Sequence, residues 1–211
     1  MEKKLKQRPI NLIKVVLFGP ESTGKTTLSI ELARHYHTVW VPEYAREYLQ
    51  NKWNNEGKIC EKKDIIPIGS GQITLENNLA RKANKVLICD TDLLETKVYS
   101  EEYYDGFVDP KLNEAALNNT YNMYFLTYID TPWEADDLRD KPEQRIEMFT
   151  AFENALIKHK RPYVLLKGNK KTRLKTAIKV IDKLVANKQK LYSYSNTLID
   201  WDMHFLHQKN P

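Results

Sequence analysis

Five short apolar runs punctuate the chain, at residues 13–18, 38–41, 85–89, 122–129 and 162–166. Each is bounded by charged or turn-forming residues, the signature of strands buried on both faces of a parallel sheet. Between them apolar residues recur at helical spacing over about 25–36, 43–52, 70–83, 92–104, 111–119, 142–159 and 170–187. This alternation predicts an α/β fold: a doubly wound sheet of about five parallel strands with helices on both faces. Ligands of such sheets bind outside the carboxyl ends of the strands. Residues 53–68 are polar and interrupted by Gly57 and Pro67, which predicts a loop near that edge. Residues 130–145, almost wholly polar and holding Pro132 and Pro142, predict a mobile lid. The domain is expected to span 1–190. Residues 191–211 form an aromatic and polar tail, which either docks Tyr192, Tyr194, Trp201 and Phe205 on a neighbouring surface or stays loosely ordered.

A length of 211 residues suits one such domain. No run approaches the roughly 20 apolar residues of a membrane span. Residues 1–8 are charged and lead straight into the first strand, unlike a signal peptide. Cys60 and Cys89 are the only cysteines and lack the C-x-x-C spacing, which fits a reducing cytoplasm. The net charge of +5 is uneven: residues 156–190 hold twelve Lys/Arg and one acid, Asp182. Such a run is either a nucleic-acid surface or the solvated faces of helices. No aromatic residues are interleaved as a single-strand groove requires, so nucleic acid is not the expected partner. A homo-oligomer remains open.

The segment Gly19-Pro20-Glu21-Ser22-Thr23-Gly24-Lys25-Thr26 fits the phosphate-loop pattern G-x-x-x-x-G-K-[ST]. Its flanks fit as well, a buried strand before it and an amphipathic helix after it. Backbone N–H groups and the positive helix end then cradle a triphosphate. Gly19, Glu21, Ser22, Thr23, Gly24, Lys25, Thr26 and Thr27 are the ATP-binding candidates. Lys25 is expected at the β/γ-phosphates and the Thr26 hydroxyl on Mg²⁺.

Three acidic clusters sit at strand ends. Asp90 closes the third strand, where P-loop proteins deliver a carboxylate to Mg²⁺ directly or through water. Asp92 either faces a second substrate, caps the following helix, or does both. Glu43 follows the second strand, placed to accept a hydroxyl proton or simply to favour a helix N-terminus. Arg46 lies one turn on, and Glu47 is a candidate ion-pair partner. The lid offers Arg139 and Arg145 to a γ-phosphate, Arg139 ahead. Residues 167–170 form either an adenine-packing loop or an ordinary turn.

The P-loop, the Pro42-Glu43-Tyr44-Ala45-Arg46-Glu47 block, the Cys89-Asp90-Thr91-Asp92 block and the run from Trp133 to Arg139 occur in that order. Together, over residues 11–187, they resemble the ribosylnicotinamide kinase domain of NadR-type bacterial proteins. The resemblance implies ATP-dependent phosphorylation of the 5′-hydroxyl of nicotinamide riboside. It implies Glu43, Tyr44, Arg46 and Asp92 around the riboside, and Lys25, Thr26, Asp90 and Arg139 around the phosphates and Mg²⁺. Tyr44 or Trp40 is then a candidate cation–π partner of the pyridinium ring. The chain has too few residues before the P-loop for an adenylyltransferase domain, no His-x-Gly-His motif and no helix-turn-helix, so a kinase alone is expected. The competing readings are another (deoxy)nucleoside kinase and a regulatory P-loop NTPase or binding module.

Overall fold

A computed structural model describes residues 5–138 and 142–207, with side chains to residue 190. Its five strands are β1 (Ile13–Phe18), β2 (Trp40–Val41), β3 (Val86–Asp90), β4 (Met123–Thr127) and β5 (Tyr163–Leu166), all parallel in the order β2-β3-β1-β4-β5. β1 and β3 are wholly buried, as runs apolar on both faces should be. The pleat divides them. Val16, Phe18, Leu87, Cys89, Tyr124 and Leu126 enter one core layer, and Ile13, Val15, Leu17, Val86, Ile88 and Phe125 enter the other.

The helices are α1 (Lys25–His35), α2 (Tyr44–Glu56), α3 (Ile65–Ala80), α4 (Leu93–Tyr103), α5 (Pro110–Asn118), α6 (Arg145–Lys158) and α7 (Lys170–His207). α1 and α7 cover one face through Leu28, Leu32, Ala177 and Ile181. α4 and α6 cover the other, where Phe152 meets Phe18 and Tyr99 edge-on at 5.1 and 5.2 Å. Because β3 lies between β2 and β1, the chain departs in opposite directions from the centre of the sheet. That reversal opens a crevice at the strands' carboxyl ends.

The region expected to be a loop is largely helical. α2 runs on to Glu56, Gly57 ends it in the left-handed region (φ 62°), and α3 begins at Ile65. The cause is a buried ion pair that sequence periodicity cannot reveal. Lys52 Nζ on α2 donates to Glu61 at 2.7 Å and also to Asp64, which further accepts from the Tyr48 hydroxyl at 3.0 Å. These contacts fasten the 60s to α2. Pro67 costs nothing there, since the first helical turn needs no N–H partner. The backbone of α7 continues well beyond 187, and the side chains of the expected tail lie outside the described residues. No helix among the described residues is long and apolar enough to cross a membrane.

Candidate nucleotide and acceptor site

The loop between β1 and α1 is shaped by its glycines. Gly19 has φ 134°, and a Cβ there would lie 2.9 Å from the Thr127 hydroxyl, so only glycine fits. Gly24, with φ 82°, caps α1 from the left-handed region. Thr23 ties the loop to β4: its hydroxyl reaches Pro20 O at 2.7 Å and the Thr127 hydroxyl at 2.7 Å. The first turn of α1 carries no acid, so its positive end is left to an incoming anion. Lys25 is buried and donates to Gly19 O at 2.6 Å and Pro20 O at 3.0 Å. Thr26 and Thr27 are exposed on the open side of the helix end, and Glu21 and Ser22 are half-buried in the loop.

The Thr26 hydroxyl donates to Asp90 Oδ2 at 2.6 Å, joining P-loop and β3. Asp90 Oδ1 is buried with no hydrogen-bond partner. A hydroxyl and a carboxylate side by side, one oxygen unspent, form a donor set that suits Mg²⁺. Burial, then the charge of Glu43, raises Asp90 to about 7, while Thr26 and Lys25 pull it down. Lys25 itself is raised: burial opposes its charge, but Glu95, Glu43 and Asp90 together outweigh that cost. One ammonium among three acids keeps its proton, while burial first and neighbouring negative charge second raise Asp90 and Glu95.

Glu43 sits at the N-cap of α2, where its side chain makes no capping bond. The peptides on either side are bracketed by buried Gln72 of α3, which accepts from Tyr44 N–H at 2.8 Å and donates to Pro42 O at 3.3 Å. The Tyr44 ring lies so close to α3 that a Cβ on Gly71 would come within 2.0 Å of it. Asp92 is 1% exposed; it accepts from Glu95 N–H at 3.0 Å, capping α4, and from the Tyr124 hydroxyl at 2.8 Å. Of its two expected roles, the structure displays the cap. Burial raises it to about 6, against those two hydrogen bonds.

Residues 131–138 pass as a strap between the P-loop and α2. On one side Thr131 donates to Ser22 O at 2.8 Å, and Glu134 N–H donates to the Ser22 hydroxyl at 2.8 Å. On the other, Arg46 grips Asp136 through both guanidinium nitrogens, at 3.1 and 2.6 Å, and Gln50 reaches Asp137 at 3.1 Å. Arg145 supports the strap from below, donating to Thr131 O at 2.9 Å with its guanidinium 5.6 Å from the Trp133 ring centre. Arg46 and Arg145 are thus both engaged with the strap, and Arg139 lies outside the described residues.

A family model described as an AAA domain (AAA_28) matches residues 14–173. The chain belongs to that family. Within it, this AAA domain is similar to the trifunctional NAD biosynthesis/regulator protein NadR of Salmonella typhimurium, at 29% identity over 132 residues, 63% of this chain and 32% of that protein. NadR of Escherichia coli matches to the same extent. The chain therefore spans about a third of the length of the curated relatives it matches. In three dimensions it is similar to NadR in complex with NR, with a TM-score of 0.72 and 22% identity over 83% of this chain and 52% of that one. A NadR structure with NAD and AMP-PNP gives 0.67 and 21%, over 83% of this chain and 50% of that one. At these identities the likeness fixes the fold, a P-loop kinase-like doubly wound sheet.

Two residues of this AAA domain escaped the reading of its sequence. Arg173, inside the basic run assigned to solvated faces, is 4% exposed. It donates to Gly168 O at 2.8 Å, Thr23 O at 2.7 Å and Tyr128 O at 2.9 Å, and pairs with Asp130. Residues 167–170 are thereby tied to the P-loop. Glu95, in a segment read only as helical, is buried beside Lys25 at 3.1 Å. The available signal was its place, one turn after Asp92 on the helix that leaves the site.

Proposed function

We propose that this chain is an ATP-dependent kinase that phosphorylates the 5′-hydroxyl of nicotinamide riboside, giving nicotinamide mononucleotide for NAD synthesis. The observation that carries this reading is the pairing of two unlike sides across one crevice. Lys25, Thr26 and Asp90 line the phosphate side, while Glu43 stands at the end of β2 with no capping bond to occupy it. The resemblance to NadR-type kinase domains supports the choice of riboside.

In this reading the loop N–H groups and Lys25 hold the β- and γ-phosphates, and Thr26 with Asp90 holds Mg²⁺. The bound ion would neutralise charge on the phosphate oxygens. Glu43 accepts the proton of the attacking hydroxyl as the new O–P bond forms and the bond from the γ-phosphorus to the β–γ bridging oxygen breaks. ADP departs with that electron pair. A positioned base contributes roughly 10²–10⁴-fold. Tyr44 and Arg46 border the riboside, Arg46 exchanging Asp136 for substrate, and Asp92 acts by holding the first turn of α4. The two free thiols, Cys60 and Cys89, suit a reducing cytoplasm.

Coupled assay of ADP release tests the proposal. Release should require nicotinamide riboside; equal release with thymidine or deoxycytidine points to another nucleoside kinase, and release without any acceptor to an NTPase. Lys25→Ala should abolish transfer. Glu43→Gln should lower turnover at least about tenfold with ATP binding intact, and near-normal turnover removes Glu43 from the base role.

A further inference from the structure

Glu95 of α4 has no part in the chemistry above, yet it is 1% exposed and lies against the P-loop. Its Oε2 accepts the Gly19 N–H at 3.3 Å, and its Oε1 lies 3.1 Å from Lys25 Nζ. That second contact is an ion pair at hydrogen-bonding distance. The lysine also donates to the Gly19 and Pro20 carbonyls. A carboxylate buried this deeply is costly, and here one of its oxygens is held by the cation that a P-loop reserves for phosphate.

We propose that Glu95 is a resident anion of the phosphate cradle, one that occupies Lys25 in the nucleotide-free protein and yields it to incoming phosphates. It thereby sets the affinity for ATP and hastens the departure of ADP. The inference rests on the reading of this loop as a nucleotide site and makes Glu95 a positioning residue, since it acts through Lys25. A triphosphate entering the cradle brings several negative charges toward a buried carboxylate, and like charges in a poorly solvated site repel strongly. Once the γ-phosphoryl has left, the carboxylate competes for Lys25 against fewer phosphate oxygens, and ADP is the easier to expel. The other groups acting on Glu95 are Glu43 and Asp90, which add to the repulsion, and Lys25, which opposes it. Tyr99 lies within the same field. Burial raises Glu95 to about 8, so the anion that holds Lys25 prevails above that value and its hold on nucleotide affinity fades as pH falls below it.

Calorimetric titration of the full chain with Mg·ADP and with Mg·AMP-PNP, without acceptor, provides the test. It is best run near pH 9, where the carboxylate form prevails. Glu95→Gln keeps the shape and an acceptor for the Gly19 N–H but removes the charge. Both nucleotides should bind about tenfold tighter, with slower turnover from retained ADP and an unchanged KM for the acceptor. Glu95→Asp, which withdraws the charge from Lys25, should tighten binding by a smaller factor and stands in if the glutamine variant does not fold. A purely structural role would move the melting temperature and leave nucleotide affinity alone. Equal or weaker binding by the folded variants overturns the proposal. If the unaltered chain binds neither nucleotide, the nucleotide-site reading falls with it; if it binds both and the variants do not tighten, only the role of Glu95 falls.

Discussion

Burial sets the charge of Asp90 and Glu95 beside Lys25 more than any single neighbour does, and Glu95 makes the consequence measurable. In the unfolded chain its carboxyl releases a proton near 4.5, while in the folded protein it holds on to about 8. Between those values the folded state binds more protons, so the contribution of Glu95 to stability is present below 4.5 and is lost as pH rises to about 8. Calorimetric melting of the unaltered chain and of Glu95→Gln should therefore nearly coincide at about pH 5, where a protonated glutamate resembles glutamine, and diverge by about pH 8.5 with the variant the more stable. A constant gap at both pH values would show that Glu95 keeps an ordinary carboxyl in the fold. That Lys25 and Thr26 lie beside Asp90 was legible in the sequence, because a phosphate loop constrains residue type at fixed spacing and an acid closes the third apolar run. Glu95 and Arg173 were not, because whether a charged side chain is buried depends on partners up to 150 residues away, as Arg173 with Thr23.

At the level of elements, the polar run 130–145 was legible as an exceptional segment, but what it grips was not. The strap is held at one end by Ser22 and at the other by α2, and neither partner is marked by spacing. The Arg46–Asp136 pair is part-exposed, with side chains 43% and 25% accessible, so its direct worth is about 0.2–1 kcal/mol. Asp136→Asn should accordingly leave the melting temperature almost unchanged. Its effect should appear locally, as faster proteolysis of the strap and a several-fold change in acceptor KM as Arg46 is released. A large fall in melting temperature with unchanged proteolysis would mean that the strap is a structural element instead of a gate. The misreading of 53–68 has the same origin: Lys52, Glu61 and Asp64 look like surface charges in sequence and are fastened together in the fold.

Across the whole molecule, the five strands and their parallel sheet follow from local pattern but their order does not, and the crevice at their ends is gathered by one buried side chain. Arg173 gathers the P-loop at Thr23, the end of β4 at Tyr128 and Asp130, and the turn after β5 at Gly168. Three separate segments at the carboxyl edge of the sheet thus share one planar cation, whose fork of donors suits several acceptors at once. Arg173→Met keeps the apolar stem but strands the Asp130 charge and three carbonyl oxygens. Asp130 is 30% accessible and also accepts from Gly168 N–H at 2.6 Å, so the cost stays below the about 3–5 kcal/mol of a fully buried pair, but the variant should still melt below the unaltered chain. Loosening the P-loop should also weaken nucleotide binding, so Mg·ATP should raise the variant's melting temperature by less than it raises that of the unaltered chain. Arg173→Lys restores the charge without the fork and should recover part of the stability but little of the nucleotide response. If both variants kept the full Mg·ATP-induced shift, Arg173 would be a fastener of the fold alone, and the P-loop would hold its shape through Thr23 and Thr127 without it.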